Sequence, residues 1–240
     1  MALPLVLVHG GAHGAWCWSP TQAWLEAPSI AVDLPPVSMR GGEARHDVPP
    51  EADDLHLADF SAAVLAAADG AHADRFVLVG HSLAGLTLTE VARTAPARVA
   101  HLVFVSALVP PEGRNAVDAL PPEMLERVAN GLDEDAIRYM FCNDMNEAQT
   151  AFVLDHVGGE VMNVMVEPVS CDGLPATMPI TYVRLARDQG LIPAAQDASI
   201  ARLRELAPVS VVELDTGHNV MISDPPALAA VLDEIAAAAC

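Results

Sequence analysis

A serine, an aspartate and a histidine follow three separate strand-like segments of the sequence, and together they could perform nucleophilic catalysis. Ser82 lies in the segment Gly80–Gly85, directly after the segment Arg75–Val79, and Asp188 and His218 follow two later segments of the same kind. A serine hydroxyl becomes a useful nucleophile when a histidine takes its proton, and a carboxylate fixes the tautomer of that histidine. The three residue types therefore predict acyl transfer through a covalent intermediate.

The residues around Ser82 predict an abrupt turn from a strand into a helix. They read Gly-His-Ser-Leu-Ala-Gly, and a helical pattern over Leu86–Ala92 follows and ends before Pro96. Gly-x-Ser-x-Gly alone is common by chance, but between a strand and a helix it is typical of a nucleophile elbow, in which the serine backbone is strained. The turn also places the serine at a helix N-terminus, where unpaired N–H groups favour developing negative charge.

Three other aspartates compete with Asp188 for the role of the acid. Asp172 falls inside a long irregular span, and Asp197 is expected to cap the N-terminus of a helix. Asp215 lies too close to His218 in the sequence to reach its ring. Asp188 is favoured because it directly follows a predicted strand, one strand before the histidine.

Composition and charge exclude several other functions. The chain has 240 residues, of which 52% are hydrophobic, and this is enough for one large α/β domain. Its formal net charge of −20 argues against nucleic acid and against an anionic membrane surface as partners. All 12 basic residues are arginine, which excludes Schiff-base chemistry on a lysine and a phosphate-binding P-loop lysine.

The cysteine and histidine spacings predict no metal site and no cofactor. The four cysteines lack metal-ligand spacing, and no His-Glu-x-x-His arrangement is present. We expect the cysteines to be free thiols in a reducing compartment, with Cys240 exposed. The first apolar run lacks a preceding basic region and is soon interrupted by glycines, so we expect neither a signal peptide nor a membrane span, and a cytoplasmic location. The sequence does not indicate the oligomeric state.

Apolar and helical patterns divide the chain into a core and an insertion. The expected strands are Leu3–Val8, Ser29–Leu34, Arg75–Val79, Val99–Val105, Pro179–Ala186 and Val209–Leu214. The expected helices of the core are Pro20–Leu25, Asp53–Ala68, Leu86–Ala92 and Ala227–Ala238. The strand Val99–Val105 ends at Ser106 and offers no alternative acid. Residues 1–109 and 179–240 should form the core, and residues 110–178 a helical cap over Ser82, because so long a span should carry its own structure.

The cap should contain three amphipathic stretches and supply part of a hydrophobic pocket. The stretches lie around Glu123–Val128, Asp133–Phe141 and Glu147–His156. We expect most of the apolar side chains of the cap to pack against the core and a few to line an acyl or aromatic pocket. The residues predicted to contact the substrate, from both the core and the cap, are Gly10, Trp16, Met140, Phe141 and Met221.

Four segments together resemble the α/β-hydrolase superfamily. They are the first strand and its loop (Leu-Val-Leu-Val-His-Gly-Gly-Ala-His-Gly-Ala-Trp-Cys-Trp), the elbow, Arg-Asp-Gln-Gly-Leu-Ile-Pro, and Gly-His-Asn-Val-Met. More narrowly they are similar to the branch that holds plant methyl-ester esterases and hydroxynitrile lyases. The resemblance implies a Ser82–His218–Asp188 triad and an oxyanion hole made by the N–H groups of Gly11 and Leu83. It also implies a sheet of six strands, mostly parallel, in the order 2-1-3-4-5-6, with helices on both faces and a small helical cap.

Two positions separate the esterases from the lyases within this branch. One group of lyases has a threonine after the histidine of the first loop and a lysine after the catalytic histidine, where this chain has Gly10 and Asn219. A second group has an asparagine in the first loop, which Gly10 does not match either. The resemblance therefore favours ester hydrolysis over cyanohydrin cleavage.

We expect a serine hydrolase that cleaves small-to-medium hydrophobic or aromatic carboxylic esters through an acyl-enzyme, with a small-molecule ester as its partner and neither nucleic acid nor a membrane. The alternatives are a lyase or C–C hydrolase that uses the same triad, a lactone hydrolase, and a non-enzymatic ligand-binding protein of the same fold. Fold alone does not decide between them. The acyl group and the alcohol are not indicated by the sequence.

Overall fold

The computed structural model describes residues 2–35, 54–120, 125, 133–158, 162–171 and 174–239. Its centre is a sheet of six strands: β1 (Leu5–Val8), β2 (Ser29–Val32), β3 (Phe76–His81), β4 (Val99–Val105), β5 (Ile180–Leu185) and β6 (Val209–Leu214). The strands lie in the order β2-β1-β3-β4-β5-β6, and each pair of neighbours is parallel. This arrangement confirms the predicted α/β-hydrolase fold.

Helices lie on both faces of this sheet. Those of the core are α1 (Ser19–Gln22, after a short 3-10 turn at Ala15–Trp18), α2 (Leu57–Gly70), α3 (Ala84–Thr94), α8 (Pro193–Leu206), α9 (Val220–Ser223) and α10 (Pro225–Ala238). Those between β4 and β5 are α4 (Ala116–Ala119), α5 (Glu134–Phe141), α6 (Glu147–His156) and α7 (Met162–Val166).

The central strands are mostly apolar because helices cover both of their faces. Every residue of β1 and β3 is buried, as expected for parallel strands in the middle of a sheet. Alternate residues point to opposite faces, so Phe76 and Leu78 join the core cluster beneath α2, α3 and α8, whereas Val77 and Val79 join the cluster beneath α10. The sheet therefore divides the core into two layers.

The helices between β4 and β5 add side chains to both of these layers. Met140 of α5 and Val153 of α6 lie in the cluster that contains α10, whereas Val164 and Met165 of α7 lie in the other. These helices are thus packed onto the sheet assembly on two sides. The predicted division into a core and a cap at residues 110 and 178 stays a prediction, and the stretch Glu123–Val128 lies outside the described residues apart from position 125.

Two helix starts differ from the prediction. Within the described residues helix α2 begins at Leu57, where the Asp59 carboxylate accepts a hydrogen bond of 2.9 Å from the His56 N–H as part of a capping box. Helix α8 begins at Pro193, so Asp197 lies inside the helix, and its predicted role as an N-cap is wrong. The Asp197 carboxylate instead pairs with Arg184 at 2.8 Å.

The described residues contain no helix that is long and apolar enough to cross a membrane. They also contain no group of three or more histidine, cysteine or acidic side chains arranged to hold a metal ion. Cys17, Cys142 and Cys171 are buried and form no disulfide with one another. Burial raises the pKa of the Cys142 thiol to about 11, so this thiol stays protonated at neutral pH. Cys240 lies outside the described residues.

Candidate active site

Ser82 sits at the sharp turn between β3 and α3. Its φ is +55°, in the left-handed region that a residue with a side chain rarely adopts. Two backbone hydrogen bonds hold this turn against the end of β4: the Ser82 N–H donates to the Val105 carbonyl at 3.1 Å, and the Leu108 N–H donates to the Ser82 carbonyl at 2.9 Å. The strain is therefore balanced by neighbouring structure, as expected for a nucleophile elbow.

The structure brings Ser82, His218 and Asp188 into one chain of hydrogen bonds. The distance from His218 Nε2 to Ser82 Oγ is 3.0 Å, and that from His218 Nδ1 to Asp188 Oδ2 is 2.8 Å. The Asp188 side chain is fully buried and that of His218 is 2% exposed. With Nδ1–H donating to the carboxylate, Nε2 is free to accept the serine proton, which is the geometry that general-base catalysis requires.

The carboxylate of Asp188 is held by three further donors. Its Oδ1 accepts hydrogen bonds of 2.7 Å from the N–H groups of Gly190 and Leu191, and its Oδ2 accepts one of 2.6 Å from the Ser106 hydroxyl. Ser106 directly follows β4, has a φ of +41° and is fully buried. The sequence had marked this position only as lacking an acid. In the structure, the Ser106 hydroxyl orients the carboxylate of Asp188, which follows β5.

Neither Asp215 nor Asp197 reaches the histidine. Asp215 is 85% exposed and pairs with Arg187 at 3.2 Å. Asp197 is bound to Arg184 through two hydrogen bonds, and that contact lowers the pKa of its carboxyl. Asp172 lies outside the described residues.

The first loop passes directly beside the nucleophile at Gly10. A Cβ atom there would lie 2.7 Å from Ser82 Cβ, so only glycine allows this approach. The next residue, Gly11, and the residue after the nucleophile, Leu83, carry the two N–H groups predicted to bind an oxyanion. Within the described part of the chain, neither N–H group donates to a protein oxygen. Both donors are therefore available to a substrate oxygen.

Two buried histidines flank the triad and stay neutral. Burial lowers the pKa of His13 to about 3, although a hydrogen bond of 2.7 Å to the Gly11 carbonyl acts in the opposite direction. Burial and the nearby charge of His218 lower the pKa of His81 well below its usual value. The His81 Nε2–H donates to the His218 carbonyl at 2.9 Å, and the two rings lie 4.5 Å apart. Neither side chain was singled out by the sequence analysis.

Aromatic rings connect the first loop with helix α6. Trp16 stacks on His13 with ring centroids 5.2 Å apart, and it meets the ring of Phe152 edge-on at 5.5 Å. The ring of His156 lies 5.0 Å from that of Trp16 and 4.5 Å from that of Phe152. Trp16, which was predicted to contact the substrate, is half-buried and therefore remains accessible.

The other predicted contact residues are more deeply placed. Phe141 stacks on the ring of His218, with centroids 5.4 Å apart and planes 23° apart, so it touches the proposed base itself. Met140 is 3% exposed, and Met221 is completely buried among the core residues of the α10 layer. Met221 therefore packs beneath the site, and its contact with a substrate stays a prediction.

Comparison with known proteins identifies the family of the chain. Residues 5–231 match the model of the alpha/beta hydrolase family. The chain therefore belongs to the alpha/beta hydrolase family.

Curated relatives match part of the chain. It is 34% identical over 151 residues to the probable esterase PIR7A of Oryza sativa subsp. indica, a match that covers 62% of this chain and 55% of the relative. It is 32% identical over 136 residues to the carbendazim hydrolyzing esterase of a Nocardioides species, covering 55% of this chain and 54% of the relative. The chain spans about half the length of the curated relatives it matches.

Solved structures match nearly the whole chain. An extracellular alpha/beta-hydrolase from a Paenibacillus species superposes with a TM-score of 0.78 at 20% identity, covering 97% of this chain and 98% of the other. A methylesterase from Arabidopsis superposes with a TM-score of 0.72 at 19% identity, covering 98% and 99%. At these identities the likeness supports the shared fold.

Proposed function

We propose that this chain is a serine hydrolase that cleaves small-to-medium hydrophobic or aromatic carboxylic esters. The observation that carries the proposal is the hydrogen-bonded series Ser82–His218–Asp188, with the serine on a strained turn between a strand and a helix. The printed names of the partial relatives, esterases from a plant and a bacterium, support the same class of reaction.

The reaction proceeds in two halves. Ser82 Oγ attacks the ester carbonyl carbon while His218 Nε2 takes the hydroxyl proton, and the N–H groups of Gly11 and Leu83 stabilise the oxyanion. His218 then gives that proton to the departing alcohol oxygen, which leaves an acyl group on Ser82. Water, deprotonated by His218, attacks the acyl carbon, and the carboxylic acid leaves as Ser82 recovers its proton. Asp188 stabilises the imidazolium in both halves, and no cofactor takes part.

The surroundings of the triad favour a hydrophobic or aromatic substrate. Trp16, Phe152 and Phe141 present rings within one contact network around the first loop and His218. His13 and His81 add rings that are neutral at physiological pH, so they introduce no positive charge that would select an anionic substrate. Such a site desolvates an apolar acyl or alkoxy group at little cost.

Hydrolysis of p-nitrophenyl esters of increasing acyl length tests the proposal. We expect wild-type protein to release p-nitrophenol and Ser82→Ala to lose at least about a thousandfold in kcat, because the nucleophile is gone. Ser210→Ala, which changes an exposed serine of β6, is the matched control and should retain wild-type turnover. Folded wild-type protein that hydrolyses none of these esters would contradict the proposal. In that case, cleavage of cyanohydrins would favour the lyase. Labelling of Ser82 by a phosphonate would count against a non-enzymatic ligand-binding protein.

A further inference from the structure

Two adjacent residues between α5 and α6 bind the backbone beside both the acid and the base. The Asn143 side-chain N–H donates to the carbonyl of Arg187 at 2.8 Å, and Asp144 Oδ2 accepts from the N–H of Gly217 at 2.6 Å. Arg187 directly precedes the acid of the triad, and Gly217 directly precedes its histidine. One short turn of the chain thus contacts the loop after β5 (residues 186–192, the acid loop) and the loop after β6 (residues 215–219, the histidine loop). In each loop it binds the residue directly before the triad member.

The contact at the histidine loop is close and mostly hidden from solvent. The Asp144 side chain is only 3% exposed. A Cβ atom on Gly217 would overlap Asn143 Oδ1 and lie 2.6 Å from Asp144 Oδ1, so any other residue there would displace both side chains. A buried carboxylate is costly unless it is hydrogen-bonded, and a charge-assisted bond to a backbone N–H is among the stronger ones.

The acid loop and the histidine loop are also joined to each other. The Arg187 N–H donates to the Thr216 carbonyl at 3.0 Å, and the Arg187 guanidinium donates to the Asp215 carbonyl at 2.9 Å. The same guanidinium lies 4.0 Å from Asp144 Oδ2. The two loops are therefore bonded to each other, and the turn between α5 and α6 is bonded to both of them.

We propose that Asn143 and Asp144 are positioning residues, which fix the acid loop and the histidine loop relative to each other. The imidazole of His218 then stays within hydrogen-bond distance of both Asp188 and Ser82. The catalytic part of this inference rests on the proposed esterase function. The imidazole bonds of 2.8 Å and 3.0 Å leave little room for displacement, and an error of about 1 Å in such an arrangement can cost about a hundredfold in rate.

Near-isosteric variants separate the hydrogen bonds from the packing. Asn143→Asp keeps the size of the side chain and removes the amide donor. Asp144→Leu removes the acceptor, whereas Asp144→Asn keeps an oxygen that can still accept from the Gly217 N–H. Asn146→Ala is the control, because Asn146 caps α6 by accepting from the Gln149 N–H at 3.0 Å and, within the described part of the chain, forms no hydrogen bond with either loop.

We expect Asn143→Asp and Asp144→Leu to lower kcat by about tenfold to a hundredfold while KM changes by less than about threefold. Asp144→Asn should recover kcat to within about threefold of wild type. Asn146→Ala should melt earlier and yet keep its kcat. In ¹H NMR spectra, the low-field Nδ1 proton of His218 should broaden or shift in the two damaging variants only.

Three results of the kinetic comparison would overturn the inference. The two damaging variants could retain wild-type kcat, Asp144→Asn could lose as much as Asp144→Leu, or Asn146→Ala could lose as much kcat at an equal loss of melting temperature. Absence of Ser82-dependent turnover in the wild type would defeat the esterase proposal instead. The His218 resonance needs no substrate, so an unchanged resonance in both damaging variants would still refute the positioning role.

Discussion

At the scale of single residues, His13 makes stability depend on pH. Its pKa is about 3 in the folded protein because it is buried, and about 6.5 in an unfolded chain. Between these two pH values only the unfolded state binds a proton on His13. The free energy of unfolding that the neutral ring contributes is therefore complete above pH 6.5 and is lost as the pH falls toward 3. From pH 7 to pH 5 the loss amounts to about 2 kcal/mol.

Urea unfolding of wild-type protein and His13→Gln at pH 7 and pH 5 measures this contribution. We expect the free energy of unfolding of the wild type to fall by about 2 kcal/mol more than that of the variant, because all other titrating groups are common to both. Equal decreases in the two proteins would show that His13 does not exclude its proton on folding.

The sequence marked the three triad residues but not the groups that hold them. Ser82, Asp188 and His218 could be found because each follows a strand and because their chain order is characteristic. Ser106 and Asp144 could not, since their partners lie 82 and 73 residues away and depend on how strands and helices come together. Local patterns report strand ends, whereas hydrogen bonds between loops are a property of the assembled fold.

At the scale of elements, helix α8 should be anchored mainly by its buried leucine. Leu203 is completely buried beneath the sheet, whereas Leu206 is only partly buried at the end of the same helix. We expect Leu203→Ala to lower the free energy of unfolding by about 3 kcal/mol through lost burial and a cavity. Leu206→Ala, the matched control, should cost about 1 kcal/mol.

Urea unfolding at pH 7 compares these two variants. Because both remove the same atoms from the same helix, the difference isolates burial from helix propensity. Similar losses in the two variants would mean that α8 is not held to the sheet through Leu203.

Elements with a strong periodic pattern were predicted best. The bounds of β4, β6 and α6 agree with the sequence prediction, since each is a continuous pattern between clear breaks. The first helix was less well predicted: it spans Ser19–Gln22 and follows a 3-10 turn, because the chain there is shaped by the loop beside the nucleophile. Tertiary contacts override local propensity at such places.

At the scale of the whole molecule, the charge of −20 should make the protein more stable in salt. Unpaired carboxylates repel one another in the compact state, and salt screens this repulsion over a Debye length of about 10 Å at 0.1 M. Surface pairs such as Arg98–Asp69 weaken at the same time, but the 32 acidic residues outnumber the 12 basic ones. Repulsion should therefore dominate.

Thermal unfolding in 20 mM and 300 mM NaCl measures the balance. We expect the melting temperature to rise by about 2–4 °C, which corresponds to about 1 kcal/mol for a chain of this size. Tetramethylammonium chloride at the same ionic strength is the control for specific ion binding and should have the same effect. A lower melting temperature at high salt would mean that the ion pairs outweigh the repulsion.

The contacts of Asn143 and Asp144 limit how this scaffold can be recombined with its relatives. A transplanted insertion that lacked these two side chains would sever its bonds to Arg187 and Gly217 even if its pocket suited a new substrate. Chimeras designed to exchange specificity should therefore take three segments from one parent: the turn between α5 and α6, the loop after β5 and the loop after β6.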